Sequence, residues 1–198
     1  MDGVIKERVS EYLSIHDGVI RTKDFQRAGF HNSYLSELTK ESRIVRLKAG
    51  LYITAETQTV SGFHEIQLAL PTAVICLASA LVHHELTTYE PPAVHIAIPR
   101  DERILPPEFP PTRRFSFGKT RYNLGMVKEQ IDQHAIRIYD REKTICDAIR
   151  YRRVLGQDVI NETVRNYLEG TSNIDRLVEY SRLLKVEGPV RMHLRLLA

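Results

Sequence analysis

Thr22–Ile53, TKDFQRAGFHNSYLSELTKESRIVRLKAGLYI, changes its hydrophobic rhythm twice, and that change predicts the fold of the first part of the chain. Thr22 is placed to cap a helix running to about Ala28, with Asp24 in its first turn favoured by the helix dipole. Gly29 can take the positive φ that ends it. Asn32 or Ser33 then opens a second helix, in which Leu35 and Leu38 share one side while Ser33, Ser36, Glu37 and Lys40 share the other. Past Ser42 the period falls to two, setting Ile44, Arg46 and Lys48 against Val45, Leu47 and Ala49. Gly50 supplies a turn and Leu51–Ile53 a returning strand. Helix, turn, helix and basic hairpin follow in the order of a winged helix-turn-helix.

That motif lays its second helix in the DNA major groove, so Ser33, Tyr34, Ser36, Glu37 and Lys40 are the candidates for contact near base edges. Arg43, Arg46 and Lys48 are the candidates for phosphates, where cations position a domain without reading sequence. Tyr34 could equally pack against the wing. The same shape is also used to bind proteins, so an interaction module remains the competing reading.

Outward from this stretch, Ile5, Val9, Tyr12 and Leu13 mark one face of a helix over residues 3–15, and Val19-Ile20 a short strand. The expected DNA-binding domain is therefore 1–53, joined by a polar connector, 54–61, to a second domain, 62–198. The whole is an α+β chain: a winged helix-turn-helix, then a mixed α/β domain with a helical C-terminal end. With 198 residues, 42% hydrophobic content and a formal charge of +3, the composition is that of a globular protein, and the charge alone selects no partner. Cys76 and Cys146, far apart in apolar contexts, read as reduced buried thiols, which points to the cytoplasm. Charges at Asp2, Lys6, Glu7 and Arg8 argue against a signal peptide. The longest apolar run, 73–82, falls short of the roughly 18–20 residues of a membrane span, so no membrane association is expected.

In the second domain, 61–70 is predicted helical with Phe63, Ile66 and Leu70 inward, and 73–84 reads as a buried helix apolar nearly all round. Strands are expected at 94–98, 113–117, 122–127 and 135–139, with the Pro-rich ILPPEFPP of 104–111 as a rigid loop among them. From Asp140 helices take over. One runs to about Arg153, another carries Ile160, Val164 and Tyr167, a third Ile174, Leu177, Val178, Ser181 and Leu184, and Pro189 opens a last one with Val190, Leu194 and Leu197.

DGVIRTKDFQRAGFHNSYLSELTKESRIVRLKAGLYI (17–53), VHIAIPR (94–100) and RIYDREKTICDAIRYRRVLGQDV (137–159) together resemble the AbiEi family, the antitoxin half of type IV toxin-antitoxin systems. The resemblance covers nearly the whole chain. Its more specific half is Tyr139–Thr144 with Asp147 ahead of an arginine-rich helix, and Gly50 and Tyr52 match the glycine and tyrosine of the family's wing. The arginine often found directly before that glycine is missing here, which would leave the wing's contact to Lys48 or Arg46. The resemblance implies a repressor of its own operon that binds promoter DNA; if it reads an inverted repeat, helix-turn-helix geometry expects one chain per half-site or a dimer. The resemblance also implies a second domain that counteracts a cognate nucleotidyltransferase-like toxin, often in phage defence, directly or indirectly. Arg150, Arg152 and Arg153 are the candidates for a contact with an acidic partner or another anion; a solvated helix end would carry the same charges.

Catalysis is not expected. Asp140 and Glu142 form a D-x-E pair that could hold a metal, but Asp140 is also a natural helix cap with Glu142 in the first turn. Lys143 and Asp147 then make an i, i+4 pair of the kind that contributes a few tenths of a kcal/mol on a helix surface. His83 and His84 diverge by about 100° on a helix and cannot share one ion with Glu85, so they read as its polar end. No G-x-S-x-G turn presents a nucleophile. The reading includes no cofactor and no metal.

Overall fold

The computed structural model describes residues 3–197; the outermost positions of the expected domains, 1–2 and 198, lie outside the described residues, as does the side chain of Leu197. The chain is mixed α/β with two sheets, and it divides into two compact units. The first comprises the described residues through Pro71 together with Ile104–Pro111. The second comprises Thr72–Arg103 and the chain from Thr112 onward.

The first unit runs α1 (Gly3–Ile15), β1 (Val19–Arg21), α2 (Thr22–Arg27), α3 (Asn32–Lys40), β2 (Ile44–Lys48), β3 (Leu51–Thr54) and α4 (Phe63–Ala69). Its antiparallel sheet has the order β1-β3-β2. Val9, Tyr12 and Leu13 of α1 meet Phe25, Phe30, Leu35, Leu38 and Ile44 in one core. Phe25 and Phe30 stack at 4.7 Å, with Tyr12 edge-on to both. Gly29 takes φ +87° and Gly50 φ +77°, the two reversals the sequence requires. Thr22 is not the cap of α2; Arg21 occupies that position in extended backbone and offers no side-chain bond.

Strict alternation fails in the hairpin. A bulge between Arg46 and Lys48 makes Leu47 the extra residue against β3, so Ile44 and Leu47 are both buried and Arg46 alone of the strand is fully outside. The stretch expected to be a connector also belongs to this unit. Glu65 of α4 accepts hydrogen bonds from the Thr59 backbone N–H at 2.6 Å and the Thr59 hydroxyl at 2.8 Å, and α4 packs against β2. A buried carboxylate that is doubly bonded anchors the segment in place.

The second unit contains β4 (Val74–Ile75), α5 (Leu77–His83), β5 (Val94–Pro99), β6 (Thr112–Phe117), α6 (Lys119–Asn123), β7 (Met126–Ile131) and β8 (His134–Tyr139). Then come α7 (Arg141–Arg150), α8 (Arg152–Leu155), α9 (Gln157–Glu169), α10 (Ile174–Leu183) and α11 (Glu187–Leu197). The sheet order is β6-β5-β4-β8-β7, parallel at β6/β5 and β4/β8 and antiparallel elsewhere. The predicted helix over 73–84 is therefore a central strand followed by a helix, with Leu77 at φ +46° between them. A strand buried on both faces has no polar alternate residues to reveal its period. The strand expected at 122–127 starts later: 119–123 is helical, and Gly125 at φ +67° turns the chain into β7. A Cβ there would stand 2.6 Å from the Cβ of Lys143, so the turn lies directly on α7.

Helix α7 is the axis of this unit. Every residue from Glu142 to Ile149 is buried, and α5, α9, α10 and α11 all contact it. It stops at Tyr151 and a short α8 follows, where the sequence predicted one helix to Arg153.

Candidate nucleic-acid interface and basic cleft

Helix α3 begins at Asn32 and is capped by His31, whose ring Nδ1 accepts from the Ser33 backbone N–H at 3.3 Å and lies 2.9 Å from the Ser33 hydroxyl. Of the two starts the sequence offered, the helix takes Asn32, and its cap is His31, an uncommon residue at that position. With Leu35 and Leu38 in the core, Ser33, Ser36 and Lys40 are exposed and Glu37 is half-buried between them. Tyr34 is half-buried and packs on the core of the first unit. Of the five groove candidates, it is therefore the one drawn toward the protein.

The three hairpin cations are each engaged within the first unit. Arg43 donates to the Ser10 hydroxyl at 3.3 Å, tying the hairpin's base to α1. Arg46 meets the Glu108 carboxylate at 3.3 Å, both side chains about half exposed. Glu108 comes from the Pro-rich segment, whose backbone N–H at the same residue donates to the Leu47 carbonyl at 2.7 Å. Lys48 donates to the Ala69 carbonyl at 2.5 Å, at the end of α4. None of these contacts is visible in the sequence, since each partner is more than 20 residues away.

In the second unit, Arg150 ends α7 while Arg152 and Arg153 open α8, all three exposed. Arg150 lines a cleft of about 330 Å³ together with Arg100, Lys119, Arg121 and Lys185, and Arg152 donates to the Ile149 carbonyl at 3.3 Å. The sequence reading missed Arg100, Lys119, Arg121 and Lys185, which the fold gathers from three separate segments, the end of β5, α6 and the end of α10. Arg121 is anchored beneath that cleft, donating to Asp147 at 3.0 Å with its guanidinium 5.1 Å from the Phe117 ring centroid. Its Nη2 is buried with no hydrogen-bond partner, an unusual state for a guanidinium.

Asp140 caps α7, accepting from the Lys143 backbone N–H at 2.8 Å and from the Tyr180 hydroxyl at 3.2 Å. Burial pushes its carboxyl up, against the pull of those bonds. Glu142 is buried and accepts from the Tyr167 hydroxyl at 3.0 Å. Both carboxylates of the D-x-E pair thus serve protein donors. Lys143 and Asp147 are a fully buried ion pair, not the surface pair the spacing suggested. Lys143 lies over the Tyr139 ring at 4.0 Å, and burial lowers the pKa of its ammonium while Asp147 opposes the shift. Cys76 and Cys146 are buried free thiols; burial pushes Cys146 up to about 12, and Cys76 well above its ordinary value. Among the described residues no helix is long and apolar enough to cross a membrane.

The fold is similar to that of the RV2827C protein from Mycobacterium tuberculosis, with a TM-score of 0.64 over 96% of this chain and 80% of that one, at 15% sequence identity. No family model matches the chain, and no curated protein matches it.

Proposed function

We propose that the first unit is a winged helix-turn-helix that binds promoter DNA, and that the chain is an AbiEi-like antitoxin which represses its own operon. The observation that carries the proposal is the polar outer face of α3, with Ser33, Ser36 and Lys40 exposed and the β2–β3 hairpin following directly. A recognition helix needs such a face, short enough in its side chains to let the backbone approach the base edges. Arg46, exposed on the hairpin, supplies the charge that a wing places near phosphates.

The second unit, in this reading, counteracts a nucleotidyltransferase-like toxin. Its cationic cleft around Arg150 fits an acidic surface or a phosphate group. A plain regulator without a toxin, or a module that binds protein through α3, would share the same fold, and the salt response distinguishes them. The test is a gel-shift titration with the DNA upstream of the gene at two salt concentrations, beside a scrambled duplex and a Ser36→Ala, Lys40→Ala double variant. Binding that prefers the native duplex should weaken with a log-log slope of about −0.9 per phosphate contacted, and by about tenfold or more in the variant. Equal binding to both duplexes would exclude a sequence-specific repressor. The toxin half is tested by co-expression with the product of the adjacent gene, where growth restored by the wild type but not by Arg150→Glu supports it.

A further inference from the structure

His83 ends α5 and His84 follows it as the cap, and across the unit Glu129 projects from β7. One donor atom from each of the three lies within 4.8 Å of the other two. His83 Nε2 is 2.8 Å from Glu129 Oε2. His84 Nε2 is 2.7 Å from the Tyr139 backbone carbonyl. A carbonyl only accepts, so this second bond requires the hydrogen on Nε2 and leaves the lone pair of His84 on Nδ1. Metal-binding imidazoles are commonly held in this way, with one nitrogen bonded to a backbone carbonyl and the other left as the donor to an ion. His84 and Glu129 also line a cleft of about 590 Å³, which gives an ion a route from solvent.

We propose that His83, His84 and Glu129 form a three-ligand site for Zn²⁺. Two imidazoles and one carboxylate are the borderline donor set that zinc takes, whereas magnesium and calcium require mostly oxygen. Three protein ligands leave a fourth position, which opens on the cleft and takes water or an incoming oxygen or nitrogen donor. Adjacent histidines on one helix diverge, yet they stand at its last turn, where His84 is already outside α5 with non-helical backbone geometry. Their rings accordingly approach to 5.1 Å between centroids. Glu85, the acid the sequence offers, is displaced by a residue 44 positions further on.

The site is tested by titrating the intact protein with Zn²⁺ by calorimetry and with Co²⁺ by visible absorption, circular dichroism reporting the fold of each variant. One ion per chain is expected, with ligand-field bands and no sulfur charge-transfer band, because both thiols are buried. Glu129→Gln and His84→Ala should each weaken binding at least tenfold, and His64→Ala should leave it unchanged. Glu129 is partly exposed, so its variant keeps the test valid if His84→Ala fails to fold. No saturable uptake of either ion, or uptake that Glu129→Gln leaves intact, overturns the site.

Discussion

Lys143 and Asp147, one turn apart on α7, form an ion pair in which neither side chain is exposed to solvent. Asp147 also takes the Arg121 guanidinium at 3.0 Å, so two cations share one carboxylate and lie against the rings of Tyr139, Phe117 and Tyr151. Removing one partner of a buried pair leaves a charge with no counterion, at a cost of about 3–5 kcal/mol, where a surface pair contributes about 0–1. Asp147→Ala should therefore lower the urea midpoint of the second unit by an amount in the larger range. The double change Lys143→Met, Asp147→Leu should recover only the part of the loss that belongs to Lys143, because Arg121 still loses its carboxylate. A shift below about 1 kcal/mol for the single variant would show that water reaches the pair.

His95 makes stability fall on the acid side of neutrality. It is buried on β5, where burial, with repulsion from Arg113 added, lowers its imidazole from 6.5 to about 4. Its Nδ1 accepts from the Ala78 backbone N–H at 3.4 Å, which the protonated ring could not do. Between about 4 and 6.5 the unfolded chain binds a proton that the native chain does not. Stability is thus full above 6.5 and drains away as pH falls to about 4, by roughly 2–3 kcal/mol over the window. His84, lowered chiefly by burial, acts in the same direction. His95→Gln should flatten the curve of unfolding free energy against pH between these limits; parallel curves for the two proteins would refute the assignment.

Where the sequence was legible, local chemistry set the structure. Gly29 and Gly50, Leu35 with Leu38, and the cap at Asp140 are each decided within a few residues, and the elements they mark form where expected. The misreadings share another cause. Val74-Ile75 is a strand only because β5 and β8 flank it, and Leu47 bulges in a hairpin whose partner on α4 and in the Pro-rich segment is remote in sequence. The burial of Lys143 follows from helices packed around α7, which no i, i+4 rule contains. Of the candidate site residues, those on α3 could be placed by periodicity. The partners of Arg43, Arg46 and Lys48, the four cations beside Arg150, and Glu129 beside His83 became visible only when the chain was folded.

The Arg46–Glu108 contact bears on the proposed reach of the β2–β3 hairpin for phosphate. At 3.3 Å between half-exposed side chains it is a weak pair, but it holds the hairpin's outermost cation against the Pro-rich segment. Phosphate and Glu108 then compete for one guanidinium, and the carboxylate adds repulsion against DNA at close range. If the proposed DNA reading holds, Glu108→Gln should tighten binding several-fold at low salt and make the log-log salt slope steeper by up to about one phosphate's share, near 0.9. Arg46→Ala should do the reverse, and the two changes combined should match Arg46→Ala alone, since Glu108 acts here only through Arg46. A Glu108→Gln protein with unchanged affinity and slope would mean that the hairpin's cations stay off the phosphates and that α3 carries the contact by itself.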